Sequence, residues 1–189
     1  RPIKAQILAS RPGHASNVEL ARKIKKLMLD SEKNKVPVYD PKQPPIFTHE
    51  RVYELLPHRY PFQMIDKIIY LDDTSVVGVK NVTMNENYFM GHFPNNPVMP
   101  GVMQVEAMAQ TGGILVLSSV EDPENYWPYL VGIENCRFRK SVIPGDTIIF
   151  RCELQAPIRR GIAKMTGKAY VAGQVVCEAE MTASLVRKS

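Results

Sequence analysis

The chain has 189 residues, 44% hydrophobic and 23% charged, which suits one core-bearing domain with a smaller appendage and argues against wholesale disorder. Its 24 Lys and Arg outweigh 19 Asp and Glu, a net charge of +5 that favours an acidic partner, while no zinc finger, helix-turn-helix or basic–aromatic array points to nucleic acid. The longest charge-free apolar run, Ala107 to Val120, is too short to span a membrane, and three dispersed cysteines, Cys136, Cys152 and Cys177, argue against a disulfide framework or zinc ribbon and fit a reducing cytoplasm.

The chain opens on Arg1 rather than Met, which marks it as processed or as part of something longer, and its charged first residues form no secretory leader. Residues 1–9 read as a strand, and Arg11-Pro12-Gly13-His14 as a turn. Ser16, with Glu19 three residues on, forms a capping box for a helix whose Leu20, Ile24, Leu27 and Met28 share one face. Residues 31–46, polar and then proline-rich, read as an extended linker, so a domain boundary is placed there. Beyond it, Thr48 caps a short helix ending at Pro57, and Phe62–Leu71 and Thr74–Val82 read as strands. A proline-rich loop from His92 to Pro100 leads into a helix from Gly101 to Ser119. Four strands follow, Tyr126–Phe138, Thr147–Gln155, Gly161–Val171 and Gln174–Val186, with turns at Pro144-Gly145-Asp146, Arg159-Arg160-Gly161 and Ala172-Gly173. One apolar helix among antiparallel strands predicts an α+β domain with the sheet wrapped around that helix.

The long helix is apolar on every side, yet carries Glu106, with Gln110 one turn later on the same face. A buried carboxylate without a partner is costly or stays protonated, so Glu106 is expected to have a fixed partner, to sit in a polar pocket, or to work as an acid. An exposed stripe is the bland alternative. At the start of this helix, Pro100 does no harm to the hydrogen-bond ladder, Gly101 leaves its amide unobstructed, and the first-turn N–H groups carry the positive end of the dipole. They suit an oxyanion such as an enolate. His92 stands in Gly91-His92-Phe93-Pro94, and Pro97 and Pro100 fix its path to the helix. An imidazole suits proton abstraction at neutral pH. A base, an acid and an oxyanion site together fit removal of an α proton with loss of a β-hydroxyl.

Three stretches carry a family resemblance: Leu56-Pro57-His58-Arg59-Tyr60-Pro61-Phe62; Asn87 to Gln110, containing GHFPNNPVMPGVMQVEAMAQ; and Arg137-Phe138-Arg139-Lys140-Ser141-Val142-Ile143-Pro144-Gly145-Asp146. In this order they resemble the 3-hydroxyacyl-[acyl-carrier-protein] dehydratases of the FabZ type, over residues 47–187. The resemblance implies a hot-dog fold, and a homodimer, assembled as a trimer of dimers, in which His92 of one subunit meets Glu106 of its mate. Gly101 N–H faces the thioester carbonyl, and neither metal nor organic cofactor is implied. Asn95 departs from the motif, which often has Gly there. A tunnel lined by Phe93, Val98, Met99, Met103 and Gln110 is expected to take the acyl chain. Carrier-protein docking is expected first at Arg159, Arg160 and Lys164, and next at Arg137, Arg139 and Lys140. Residues 1–30, from Ile7-Leu8-Ala9-Ser10-Arg11-Pro12-Gly13-His14-Ala15-Ser16-Asn17 onward, resemble the C-terminal end of the LpxC-type UDP-3-O-acyl-N-acetylglucosamine deacetylases. The chain is thus expected to be part of a deacetylase–dehydratase fusion, with 1–30 a remnant, 31–46 a linker and 47–189 the dehydratase. Rival readings are a hot-dog thioesterase using Glu106, a dehydratase-isomerase, whose branch typically has Asp at this position, and a non-catalytic acyl-thioester sensor.

Overall fold

The computed structural model describes residues 13–33 and 36–188. It has two compact units, Arg1–Val36 and Pro37–Ser189. The strand expected over residues 1–9 lies outside the described residues, as does the side chain of His14.

The first unit contains helix α1, His14–Lys33. It begins two residues before the expected cap, since Asn17 N–H already donates to the Gly13 carbonyl at 2.9 Å. Ser16 therefore lies inside the first turn and reaches backward. Its hydroxyl accepts from Gly13 N–H at 3.1 Å and donates to the Gly13 carbonyl at 2.9 Å. This is the reciprocal half of a capping box, with glycine in the cap position. The helix runs on through the first residues of the expected linker, and Leu20 and Leu27 on it are exposed.

The second unit builds on six strands: β1 Lys67–Leu71, β2 Ser75–Asn81, β3 Tyr126–Phe138, β4 Thr147–Leu154, β5 Ile162–Val171 and β6 Gln174–Arg187. They form one antiparallel sheet in the order β1-β2-β4-β5-β6-β3. The β1–β2 turn is tied by Asp72, whose Oδ1 accepts from the N–H groups of Thr74 and Ser75 at 2.8 and 2.7 Å. At the β5–β6 turn, Ala172 and Gly173 both have positive φ, +47° and +77°, as a type I′ hairpin turn requires. Helix α2, His49–Leu55, buries Val52 and Leu55; Thr48 holds its cap position without a side-chain cap bond.

Helix α3, Gly101–Leu117, lies in the curve of the sheet, and every residue from Gln110 to Leu117 is buried. This is the hot-dog architecture. Ile114, Val116 and Leu117 are fully buried, together with Ile68, Val76, Phe150 and Ala163 from the sheet. Cys152 and Cys177 are buried free thiols, both pushed up to about 12 by burial, so neither is a ready nucleophile. No described helix is long and apolar enough to cross a membrane.

One expected strand is shorter than its pattern implied. Phe62–Leu71 is extended only from Lys67, because the backbone before it is engaged elsewhere. The N–H groups of Phe62 and Gln63 turn back to the Arg59 carbonyl. The Gln110 side chain donates to the Phe62 carbonyl at 2.6 Å and accepts from Met64 N–H at 2.9 Å. The two outer strands also differ. Phe47 bridges Ile68 along β1 in both directions, at 3.1 and 3.0 Å. β3 pairs on one side with β6 and carries exposed Trp127, Tyr129, Val131 and Ile133 at alternate positions.

Candidate active site

The two residues singled out for acid–base work stand at different places on the protomer. His92 lies in the loop ahead of α3, after a 3-10 turn at Asn87–Met90. Its Nδ1 is 2.7 Å from the Val98 carbonyl oxygen, and the Val98 N–H returns to the His92 carbonyl at 2.9 Å. A carbonyl can only accept, so Nδ1 carries the proton and Nε2 keeps its lone pair for a substrate. The ring stacks on Phe93 with centroids 4.0 Å apart. Between these two anchors the chain passes Asn95 at φ +63°. Glycine enters this left-handed region freely and asparagine tolerates it better than most residues, which accounts for Asn where the motif often has Gly.

Helix α3 begins beside this loop. Pro100 is its cap residue, and its carbonyl accepts from the N–H groups of Met103 and Gln104 at 3.0 and 3.3 Å. A Cβ on Gly101 would stand 2.7–2.9 Å from three atoms of the Phe138 ring. Only glycine lets the helix start against that ring. An open surface depression of about 470 Å³ brings together His92, Val98, Met99 and Gly101 with Arg139 and Lys140. Arg139 pairs with Glu178, and Lys140 reaches Gln174.

Glu106 lines a second cavity of about 190 Å³ between α3 and the sheet. Burial of this carboxylate is incomplete in the protomer: its side chain is 28% exposed. It does have a fixed partner, since Gln110 Nε2 donates to Oε1 at 2.8 Å. Gln110 is itself buried and tied to the Phe62 and Met64 backbone, so Glu106 inherits its position from a clamped amide. His58 is a site residue that pattern reading left without a role. Its Nε2 stands 3.5 Å from the same Oε1, and its buried Nδ1 has no hydrogen-bond partner among the described residues. Burial holds this imidazole below its ordinary range, opposed by the Glu106 carboxylate and reinforced by Arg59. It is therefore neutral at pH 7. The signal available for it was its place in the Leu56 to Phe62 motif, where Arg59 donates to the Leu56 and His58 carbonyls at 2.7 Å each.

The other expected site residues scatter. Gln110 lies in the Glu106 cavity, Val98 and Met99 beside His92, and Met103 at a separate surface cavity with Lys80 and Tyr88. Phe93 is half exposed. Arg137 is exposed, near the end of β3. Arg159, Arg160 and Lys164 are exposed at the β4–β5 connection and the start of β5, and Arg160 borders a groove with Arg187 that includes neither His92 nor Glu106. Among the described residues, no cluster of three or more His, Cys, Asp or Glu is placed to hold a metal ion.

The sequence pattern of the FabA-like domain matches residues 56–180. The chain belongs to the FabA-like domain family. Within this family it is similar to the 3-hydroxyacyl-[acyl-carrier-protein] dehydratase FabZ of Solibacter usitatus, 55% identical over 135 residues that cover 71% of this chain and 82% of that protein. It is also similar to the bifunctional enzymes LpxC/FabZ of Bacteroides thetaiotaomicron, 52% identical over 187 residues, and Porphyromonas gingivalis, 48% identical over 185. Those alignments take in 99% and 98% of this chain but 40% of each relative, so the chain spans well under half of their length. Among solved structures, the dehydratase heterocomplex ApeI:P from Xenorhabdus doucetiae aligns at TM-score 0.62 and 18% identity, covering 78% of this chain and 94% of that one. A thioesterase from Haemophilus influenzae aligns at 0.55 and 17%, covering 75% and 92%. At these identities the structural matches show that the FabA-like chain shares its fold with them.

Proposed function

We propose that this chain is a (3R)-3-hydroxyacyl-[acyl-carrier-protein] dehydratase, a hydro-lyase that forms a trans-2-enoyl thioester. The observation that carries the reading is the His92 tautomer. Val98 fixes the proton on Nδ1, so the open Nε2 is a base in the same cavity as the first turn of α3. Nε2 takes the proton from Cα, and charge develops on the thioester oxygen, where Gly101 N–H stabilises it. The Cβ–O bond breaks and the hydroxyl leaves as water with the proton of the Glu106 carboxylic acid, leaving a Cα=Cβ double bond. Return of the proton from His92 to Glu106 completes the cycle. Nothing in this sequence of steps calls for a cofactor. The 55% identical FabZ relative supports the reading, and the thioesterase neighbour bears on the fold alone. The test is incubation with a 3-hydroxyacyl thioester. Growth of conjugated-enoyl absorbance without thiol release is the expected result, and thiol release without enoyl would mean a thioesterase.

Because His92 and Glu106 occupy separate cavities, the working site is completed by a second copy, His92 of one protomer facing Glu106 of its mate. The open β3 edge, with its row of exposed apolar side chains, supports a homodimer formed there; such dimers then assemble in threes. The alignment with bifunctional relatives supports residues 1–30 as the end of a deacetylase domain, 31–46 as a linker and 47–189 as the dehydratase, one part of a fusion. The free cysteines support a cytoplasmic setting.

Docking of the acidic carrier protein moves toward Arg139 and Lys140, which rim the His92 cavity where Arg159 and Arg160 do not. Arg139→Glu with Lys140→Glu is expected to lower kcat/KM on carrier-protein substrates by roughly tenfold or more, with the wild-type reaction slowing as salt rises, because opposite charges steer association and salt screens them. A short thioester lacking the protein should respond much less. A larger effect from Arg159→Glu with Arg160→Glu would put docking at the β4–β5 connection.

A further inference from the structure

Of two adjacent glycines on α3, Gly113 lines the Glu106 cavity, and Gly112 beside it makes room for one of the cavity's other lining residues. A Cβ on Gly112 would fall 2.1 Å from the sulfur of Met165, so the absence of a side chain there admits Met165 beneath α3. Met165 and Met181 are almost fully buried and close the inner end of the cavity. A Cβ on Gly113 would meet nothing nearer than the Leu56 side chain, at 3.8 Å. Gly113 therefore lines free space, and the cavity exists there because no side chain fills it. Polar groups stand at the other end, where His58, Glu106 and Gln110 gather. From Glu106 to Gly113 is seven residues, or ~10 Å along the helix at ~1.5 Å per residue. The volume of about 190 Å³ compares with the ~150 Å³ apolar cavity known to hold a six-carbon benzene ring.

Resting on the dehydratase reading above, we propose that Gly113, Met165 and Met181, which line this cavity, set the acyl length this enzyme accepts, favouring short and medium linear chains over long ones. Glycine inside a helix is destabilising relative to alanine, so Gly113 weakens α3. The space it leaves is its compensation. Methionine is unbranched and flexible, which makes the floor adjustable in a way that Leu or Ile would not be.

The proposal is tested on the whole chain with 3-hydroxyacyl thioesters from C4 to C16, reading the ratio of kcat/KM on the C12 and C4 substrates together with the melting temperature. Gly113→Ala and Gly113→Val are expected to lower that ratio, by about tenfold or more for Val, since single methylene mismatches in apolar pockets discriminate on this scale. Gly113→Ala should do so with an equal or higher melting temperature, which a structural role for the glycine would not allow. Met165→Ala is expected to raise the ratio by a similar factor. A wild-type profile flat from C4 to C16, or ratios unmoved in both the Gly113 and Met165 variants, would overturn the length assignment. Absence of enoyl product at every length in the wild type would instead overturn the dehydratase reading.

Discussion

Replacing His92 by Ala, or Glu106 by Gln, is expected to slow dehydration by at least ~10²-fold, the usual scale for a positioned acid or base, with secondary structure and melting behaviour preserved. Both halves of that expectation follow from the site. His92→Ala gives up the Nδ1 bond to the Val98 carbonyl, but the backbone bond from Val98 N–H to the His92 carbonyl at 2.9 Å does not depend on the side chain. The loop keeps its remaining ties, among them the paired hydrogen bonds between Phe93 and Asn96 at 3.1 and 3.0 Å. At position 106, Gln matches Glu in shape, and its side-chain oxygen can still accept from the clamped Gln110 amide. What it lacks is the acid group that the proposed mechanism uses at the departing hydroxyl. Circular dichroism and thermal melts should therefore show folded proteins while enoyl formation collapses. A folded variant with near-normal turnover would remove its residue from the chemistry, and the Glu106 case would turn attention to His58, which lines the same cavity.

The second large effect is a recovery. Unfolding and reassembling an equal mixture of the two dead variants should regain about a quarter of wild-type activity, since half the twofold dimers are mixed and each mixed dimer holds one intact pair. The expectation rests on the proposed dimer: one protomer presents His92 in one cavity and Glu106 in another, and the proposal draws the working pair from two copies. Sedimentation or differential tagging verifies that mixed dimers have formed. Verified mixed dimers without activity would mean that the two residues do not meet across subunits.

The elements governed by local rules were legible in the sequence. Helix α3 announced itself through an unbroken apolar surface, and the hairpin at Ala172-Gly173 through residues that suit a tight turn; both stand within two residues of their expected bounds. What escaped depended on contacts distant in the chain. Nothing between Phe62 and Met64 tells that a glutamine 46 to 48 residues away takes the hydrogen bonds a strand partner would have used. Likewise the sheet order, with β3 beyond β6, is decided by tertiary packing around α3, which no period of two records. Of the candidate site, His92, Glu106 and Gly101 are proposed from residue chemistry and motif. The placement of His58 against Glu106, and of Arg139 and Lys140 at the His92 cavity, needed three-dimensional neighbours.

Among the described residues, Phe47 bridges Ile68 at the β1 margin of the sheet, and β3 pairs on one side, with β6. An edge that pairs with its own copy through a twofold axis uses itself up. In the proposed homodimer β3 would be consumed at the twofold axis, leaving only the β1 margin, which the Phe47 bridge partly covers, so further growth of the sheet would be restrained. The same strand that would make a lone protomer adhesive would thus make the proposed pair self-terminating, with the Phe47 bridge guarding the side away from the one that associates.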